Sequence, residues 1–360
     1  MINIGVADAK NLVSEILLAK GVNDQVALNV ADHLIASDQV GYASHGLTIL
    51  PNYIKALDQG TLKVDGELNC YRKSGVLLGY DAHLGFGQHA AKIAFSDAID
   101  VAHEQGICAL TLRHGHHIGR IGYYGEMACE AGMAMLAFCN IVKRTPTVAP
   151  FGGIKAKLTT NPMCYAWPLP NGKPPFVLDL ATGAIALNKA RVLAEKGCEA
   201  PAGSMIDATG KPTNDPRVLF QNPPGNLLTF GGHKGYGLGL AVELFAGILS
   251  GGGTIEKEHY GNGMAVNNVF ALIINIGKFV PNDWAEHETE AFFDYLKDCP
   301  TQDAHSVVLY PGEVEAKTRL KFSNTIPVEE KSWQILAELA GNLGISLPAI
   351  QQENEQNAIV

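Results

Sequence analysis

Gly85-Phe86-Gly87-Gln88-His89-Ala90 has the GxGxxA spacing of a dinucleotide-binding turn, and whether it is one decides the fold. In the doubly wound layout this motif follows a full strand, opens a helix, and is answered by an acidic residue ending the next strand. Here the preceding apolar run, Val76-Leu77-Leu78, is short, Asp81 interrupts the junction, and no acidic residue ends the next strand at the required distance. The glycines therefore read as a turn and the start of a helix over 88–105, and the standard Rossmann arrangement is set aside.

Downstream, the pattern predicts strands over 108–112, 135–139, 176–180 and 269–275, and helices over 122–131, 235–249 and 289–297. Such alternation implies an α/β domain. Upstream, the first sixty residues are helical by pattern. Leu12, Val13, Ile16 and Leu17 recur before Gly21, and Val26, Val30, Leu34 and Ile35 follow a cap at Asn23 or Asp24. Residues 168–224 are rich in Pro, Gly and Asn and read as long loops around one strand, the kind of segment that carries function. A last helix over 332–343 precedes a polar tail, 346–360, expected to fray.

With 360 residues, 47% apolar and 18% charged, the chain can bury a large core and is expected to form two domains. A net charge of −9 without a block of Lys and Arg argues against nucleic-acid and anionic-membrane partners, which need a concentrated positive field. Met1 to Lys10 lacks the basic and apolar regions of a secretory signal, and the apolar stretch 238–250 contains Glu243 and is too short for a bilayer. Seven cysteines, at 70, 108, 129, 139, 164, 198 and 299, form no CxxC pair and read as reduced core residues of a cytoplasmic protein.

Several segments carry chemistry. In Gly41-Tyr42-Ala43-Ser44-His45-Gly46, Ser44 reads as the N-cap of a helix running to Gly60, which puts His45 in the first turn. The positive helix end there favours a neutral imidazole that can take a proton from an alcohol. Spacing of four sets His45, Ile49 and Tyr53 on one ridge, with Pro51 as a kink. The plainer alternative is that Ser44 only caps and His45 bonds locally. Arg113-His114-Gly115-His116-His117-Ile118-Gly119-Arg120 follows a strand, at the end where ligands of α/β sheets gather. Its three histidines invite a zinc reading, but no HExxH or carboxylate at ligand spacing accompanies them, so hydrogen bonding to an anion or cofactor amide is favoured and no metal is expected.

Thr159-Thr160-Asn161-Pro162 offers hydroxyl and amide groups, or simple turn chemistry. At Asp179-Leu180-Ala181-Thr182 a carboxylate ends a strand before small residues; Asp179 either orients His45 or caps the next helix. Gly231-Gly232-His233-Lys234-Gly235-Tyr236-Gly237 opens a helix whose N–H groups, with Lys234, can hold a diphosphate, although P-loop spacing is missing. Pro311-Gly312-Glu313 is either a turn or a loop that closes over a ligand.

Taken in order, Gly41 to Gly46 with Tyr53, His116 to Tyr123, Thr160-Asn161-Pro162, Asp179 to Thr182, His233 to Gly237 and Pro311 to Glu313 resemble the malate/L-lactate dehydrogenase family of the L-sulfolactate-dehydrogenase-like type, over nearly the whole chain. The resemblance implies a non-Rossmann α/β fold. A helical domain built from both chain ends (1–72 with 234–256 and 310–345) would pack on an α/β cofactor- and substrate-binding domain with a mixed sheet (73–233 with 257–309), in homodimers sharing the cleft. It implies NAD- or NADP-dependent hydride transfer between a 2-hydroxy and a 2-oxo carboxylic acid.

By that match His45 is the proton donor and acceptor, with Ser44 and Asp179 as relay partners. Tyr53, His117 and Thr160 face substrate or nicotinamide. His116, Asn161, Asp179, Leu180, Ala181, Thr182, His233, Lys234, Gly312 and Glu313 hold the cofactor. Many members have an arginine where this chain has Ile49, and isoleucine cannot pair with a carboxylate, which leaves Arg120, His117 or backbone N–H groups as partners. An apolar residue there favours an apolar or aromatic substrate side chain. Alternatives are a cyclic imine (piperideine or pyrroline carboxylate) reductase, a zinc hydrolase on His114, His116 and His117, and a binding module without turnover.

Overall fold

The computed structural model describes residues 1–261, 265–303 and 306–351. The chain opens on a strand, β1 (Ile2–Gly5), before α1 (Val6–Ala19), α2 (Asp24–Gln39) and α3 (Leu50–Asp58). Next come β2 (Asn69–Ser74), β3 (Leu77–Asp81), α4 (Gly87–Gln105), β4 (Ile107–His116), α5 (Gly122–Glu130), β5 (Met133–Val142), β6 (Met163–Trp167) and β7 (Phe176–Leu180). They are followed by α6 (Leu187–Glu195), the short strands β8 (Met205–Ile206), β9 (Pro212–Thr213) and β10 (Asn226–Leu227), and α7 (His233–Val242), which continues as a π-helical segment, Glu243–Ile248. The chain closes with β11 (Val266–Asn275), α8 (Asn282–Lys297), α9 (Glu313–Lys321), β12 (Thr325–Val328), α10 (Glu330–Asn342) and β13 (Ile350–Gln351).

Seven strands form one mixed sheet in the order β2-β3-β4-β11-β5-β6-β7. β3 pairs parallel with β4, and β11 and β6 run antiparallel to both of their neighbours. Hence β3, β4, β5 and β7 point the same way, and their carboxyl ends share one edge of the sheet with the starts of β6 and β11. That edge collects 81–84, 116–120, 142–144, 159–162 and 180–183, so the topology alone gathers most of the sequence motifs.

Alternation along the strands gives the sheet two faces. On one, Ala137, Cys139, Leu110, Leu112, Ala271 and Ile273 are buried against α4 and α5. Alanines at 90, 91, 94, 98 and 102 let α4 sit close to the strands, and Gly106 in the left-handed region (φ 90°) ends that helix. On the other face, Val242 and Ala246 pack with Met163 beside Phe138 and Tyr165. The segment 234–256 thus lies on the sheet through its helix and differs from the expected grouping with the chain ends, because its apolar side matches the sheet's second face.

A separate apolar cluster joins α1, α2 and α3 with Ile326, Val328, Trp333, Leu336 and Ala340, so both chain ends share one core. The Asn23 side chain caps α2, accepting from the Val26 N–H at 2.9 Å. The all-helical opening is corrected by β1, which sits between β12 and β13. The tail is likewise ordered at 350–351 by that pairing, while 352–360 lie outside the described residues. The expected loops over 168–224 contain α6. Four cysteines are buried, but Cys70, Cys198 and Cys299 are exposed, which corrects their reading as core residues. Among the described residues no helix is long and apolar enough to cross a membrane.

The GxGxxA turn serves packing. A Cβ on Gly87 would lie 1.9 Å from the His116 carbonyl oxygen, so only glycine lets the start of α4 abut the end of β4.

Candidate active site

Pro51 decides where the third helix begins. α3 starts at Leu50 with Pro51 in its first turn, where a missing N–H is harmless. Before it come two 3₁₀ turns, Ala43–His45 and Leu47–Ile49, parted by Gly46 in extended conformation. Ser44 is therefore not a helix N-cap and His45 is not in a first α-helical turn, which corrects both expectations. The ridge of His45, Ile49 and Tyr53 is not a helix face either: Ile49 packs against the helical core, while His45 and Tyr53 meet at His117.

A buried carboxylate holds the His45 turn. Asp38 Oδ2 accepts the Leu47 N–H at 2.6 Å, and a Cβ on Gly46 would lie 2.0 Å from Asp38 Oδ1. Burial pushes the Asp38 pKa up to about 7 against the opposing pull of that hydrogen bond. Ser44 Oγ lies 2.9 Å from His45 Nδ1. Burial, then the nearby Arg120 charge, lowers the His45 pKa to about 4, so its neutrality has a different cause from the expected helix dipole.

The His45 and His117 rings stack with centroids 5.4 Å apart. Gln88 Nε2 donates to the Tyr53 hydroxyl at 2.5 Å, and that hydroxyl lies 2.7 Å from His117 Nδ1. With Gln88 as donor, the single phenolic proton goes to Nδ1, which leaves the His117 proton on Nε2. Tyr53 and Gln88 are both buried, and Gln88 Oε1 has no partner among the described residues. His116 is buried edge-on to Tyr53 at 5.6 Å, and burial lowers its pKa to about 4. Burial, then the charges of His45, His116, His33 and Arg144, drive His117 well below the ordinary imidazole value. The result is a set of neutral, partly desolvated imidazoles at the sheet edge.

His114 stands apart, its Nδ1 3.1 Å from the Asp81 carboxylate that Arg113 also contacts. Among the described residues, no group of three His, Cys, Asp or Glu side chains is arranged to hold a metal. β4 runs to His116, so His114 and His116 belong to the strand and not to the loop after it.

Two expected partners are engaged elsewhere. Asp179 Oδ2 accepts the Gly122 N–H at 2.7 Å, at the start of α5, and makes no hydrogen bond to His45 among the described residues. Neither reading is met: the carboxylate holds the start of α5, which precedes it in the chain, and α6, the helix that follows, has no side-chain cap. Burial raises its pKa, opposed by the Gly122 bond and the Arg120 charge. Arg120 is buried, donates to Glu126 Oε2 at 2.8 Å, and gives its backbone N–H to His33 Nε2.

Along β7 and its neighbours, Thr160 O accepts both the N–H and the hydroxyl of Thr182. Leu180 and Ala181 are half-buried. Asn161 is fully buried with φ 37°, its amide donating to Gly239 O and Glu243 Oε1. His233 and Lys234 are exposed in the first turn of α7, after Gly231 and Gly232 in the left-handed region (φ 56° and 61°). Glu313 accepts the Tyr310 N–H and pairs with Lys297, and a Cβ on Gly312 would lie 2.3 Å from Pro175 O. Residues 311–313 are therefore anchored to the edge of β7.

Sequence reasoning did not find Asp38, Gln88 or Arg144. Asp38 had a signal: it falls four residues after Leu34 on the buried stripe of α2.

The model of the malate/L-lactate dehydrogenase family matches residues 4–337. The chain is 49% identical to an L-lactate dehydrogenase of Cupriavidus necator, covering 96% of this chain and 99% of that protein. It is 37% identical to hydroxycarboxylate dehydrogenase B of Escherichia coli, covering 98% of each. A solved putative malate/lactate dehydrogenase from E. coli superposes with a TM-score of 0.90 at 36% identity over 96% of both chains. A Δ1-piperideine-2-carboxylate reductase from Pseudomonas syringae does so with a TM-score of 0.83 at 27% identity, over 94% of this chain and all of that one. On this evidence the fold is of the sulfolactate-dehydrogenase-like α/β type, and the chain is an oxidoreductase belonging to the malate/L-lactate dehydrogenase family.

Proposed function

We propose that the chain transfers hydride between a nicotinamide dinucleotide and C2 of a 2-hydroxy or 2-oxo carboxylic acid, with His45 moving the proton. The observation that carries this reading is the stacked pair His45 and His117, both held neutral by burial at the sheet edge. Ser44 engages Nδ1 of His45 and Tyr53 engages Nδ1 of His117, which leaves an Nε2 on each ring for substrate. In oxidation His45 Nε2 takes the hydroxyl proton; in reduction its protonated form returns one to the substrate oxygen, while His117 Nε2–H donates a hydrogen bond to that oxygen.

The residues present fit the dinucleotide. Exposed His233 and Lys234 in the first turn of α7 suit a diphosphate, and an added Cβ on Gly237 would meet open space. In this reading His116, the Asp179 to Thr182 run, Asn161, Gly312 and Glu313 complete the cofactor site, since 116, 161 and 179–182 come to the same edge of the sheet and 311–313 are tied to β7. Bound nicotinamide supplies or accepts the hydride. NAD and NADP share this chemistry, and titration of NADH and NADPH fluorescence decides between them.

A homodimer fits the surface. Leu244, Ile248 and Leu249 on the π-helical side are 54–58% exposed, and α8 carries a further exposed group, Trp284, Phe292 and Tyr295.

Absorbance decay of the reduced cofactor across pyruvate, phenylpyruvate, oxaloacetate and cyclic imine carboxylates tests the activity. Decay with a 2-oxo acid is expected. Decay with imines alone establishes the reductase reading, which the likeness to the piperideine carboxylate reductase favours, and no decay with any of them refutes both.

A further inference from the structure

β4 and β5 run in the same direction on either side of β11, and their last residues, His116 and Val142, both pair with Val266. His117 and Lys143-Arg144 therefore leave the sheet side by side at the edge that holds the imidazoles. Arg144 is half-buried, and among the described residues no carboxylate or carbonyl accepts a hydrogen bond from its guanidinium. Arg113, Arg120, Arg217 and Arg319 each have an acidic partner. A partly desolvated guanidinium without an anion is costly, and the like charge of nearby Arg191 adds to that cost. An anion arriving at this edge offsets both.

We propose that Arg144 binds the substrate carboxylate, the role that Ile49 cannot fill and for which Arg120 is already engaged by Glu126. The inference rests on the proposed hydride transfer. It narrows the substrate class to acids whose carboxylate reaches Arg144 while the 2-oxygen lies at His45 and His117. The planar fork of the guanidinium suits a carboxylate oxygen pair and not its amide. Arg144 also follows Val142, which shares Val266 as a partner with His116, whereas Lys234 stands at the start of α7.

The test compares the best acid of the panel above with its primary amide, in wild type, Arg144→Met and Arg144→Lys, with NADH and NADPH dissociation constants measured in parallel. Wild type should prefer the acid strongly in kcat/KM. Arg144→Met should reduce that preference roughly 10- to 100-fold, mainly through KM, with cofactor affinity unchanged. Arg144→Lys should fall between them, and added guanidinium ion should partly restore the Met variant on the acid but not on the amide. An unchanged acid-to-amide ratio in either folded variant overturns the inference, as does a loss confined to cofactor affinity. Lack of turnover by wild type on every 2-oxo acid defeats the hydride-transfer reading itself, a separate result. Should the Met variant not fold, the Lys variant alone decides.

Discussion

Two buried polar groups flank the same sheet edge and are built on opposite principles. Around Glu243, the carboxylate accepts from the Asn140 amide, the Asn161 amide and the Ile255 N–H, and Asn268 and Asn267 bond onward to Asn140. Its members are matched to partners within the chain. Around His117, by contrast, and among the described residues, Gln88 Oε1 has no donor, Arg144 has no anion, and the imidazoles are desolvated without countercharge. A saturated network fixes the backbone, here at the π-helical segment and the left-handed Asn161. An unsaturated one stores affinity for whatever completes it.

The comparison breaks most visibly at His45. His45→Ala should lower turnover by roughly 10²–10⁴-fold while leaving cofactor binding and the melting temperature nearly unchanged. Turnover within tenfold of wild type would remove His45 from the chemistry. The opposite pattern is expected on the saturated side: Asn140→Ala strips Glu243 and Gly253 of a donor, and should cost about 3 kcal/mol of folding stability in denaturant titration. If stability there holds while activity collapses, the contrast between the two groups is wrong.

Tyr53→Phe is a smaller and sharper change. It removes the hydroxyl between Gln88 and His117, so kcat should fall about 10-fold with no change in cofactor affinity. Equal kcat in the variant would mean that the His117 tautomer is not set by this bond. The last expectation concerns pH. His45 in the free protein is depressed to about 4, so kcat/KM for oxidation should hold as pH falls through the ordinary imidazole range near 6.5 and drop only toward 4. An anionic substrate pulls the imidazole pKa upward, so the acid limb of kcat should lie at higher pH than that of kcat/KM. A kcat/KM limb at 6.5 would contradict the burial of this ring.

The parts of the molecule set by periodicity were readable from residues alone. The strand over 176–180 and the strand cores at 108–112 and 135–139 lie within the observed elements, because buried strands need continuous apolar runs. The site was readable as a set of motifs but not as a set of contacts. Pro51 looked like a kink in a helix begun at Ser44, yet the turn at Gly46 and the Asp38 carboxylate made it a helix start, which moved His45 off the helix. Asp179 and Arg120 looked available because sequence does not reveal that Gly122 and Glu126 take them. β1, β12 and β13 are two to four residues long, too short for a period to register.

That small sheet has a mechanical consequence. Ile2 is paired with Val328 and Ile4 with both Ile326 and Ile350, so neither extremity can peel away without exposing the other. Opening the amino-terminal strand therefore releases β12 and β13 together, and the amides of Ile4 and Ile326 should exchange with deuterium at one common rate.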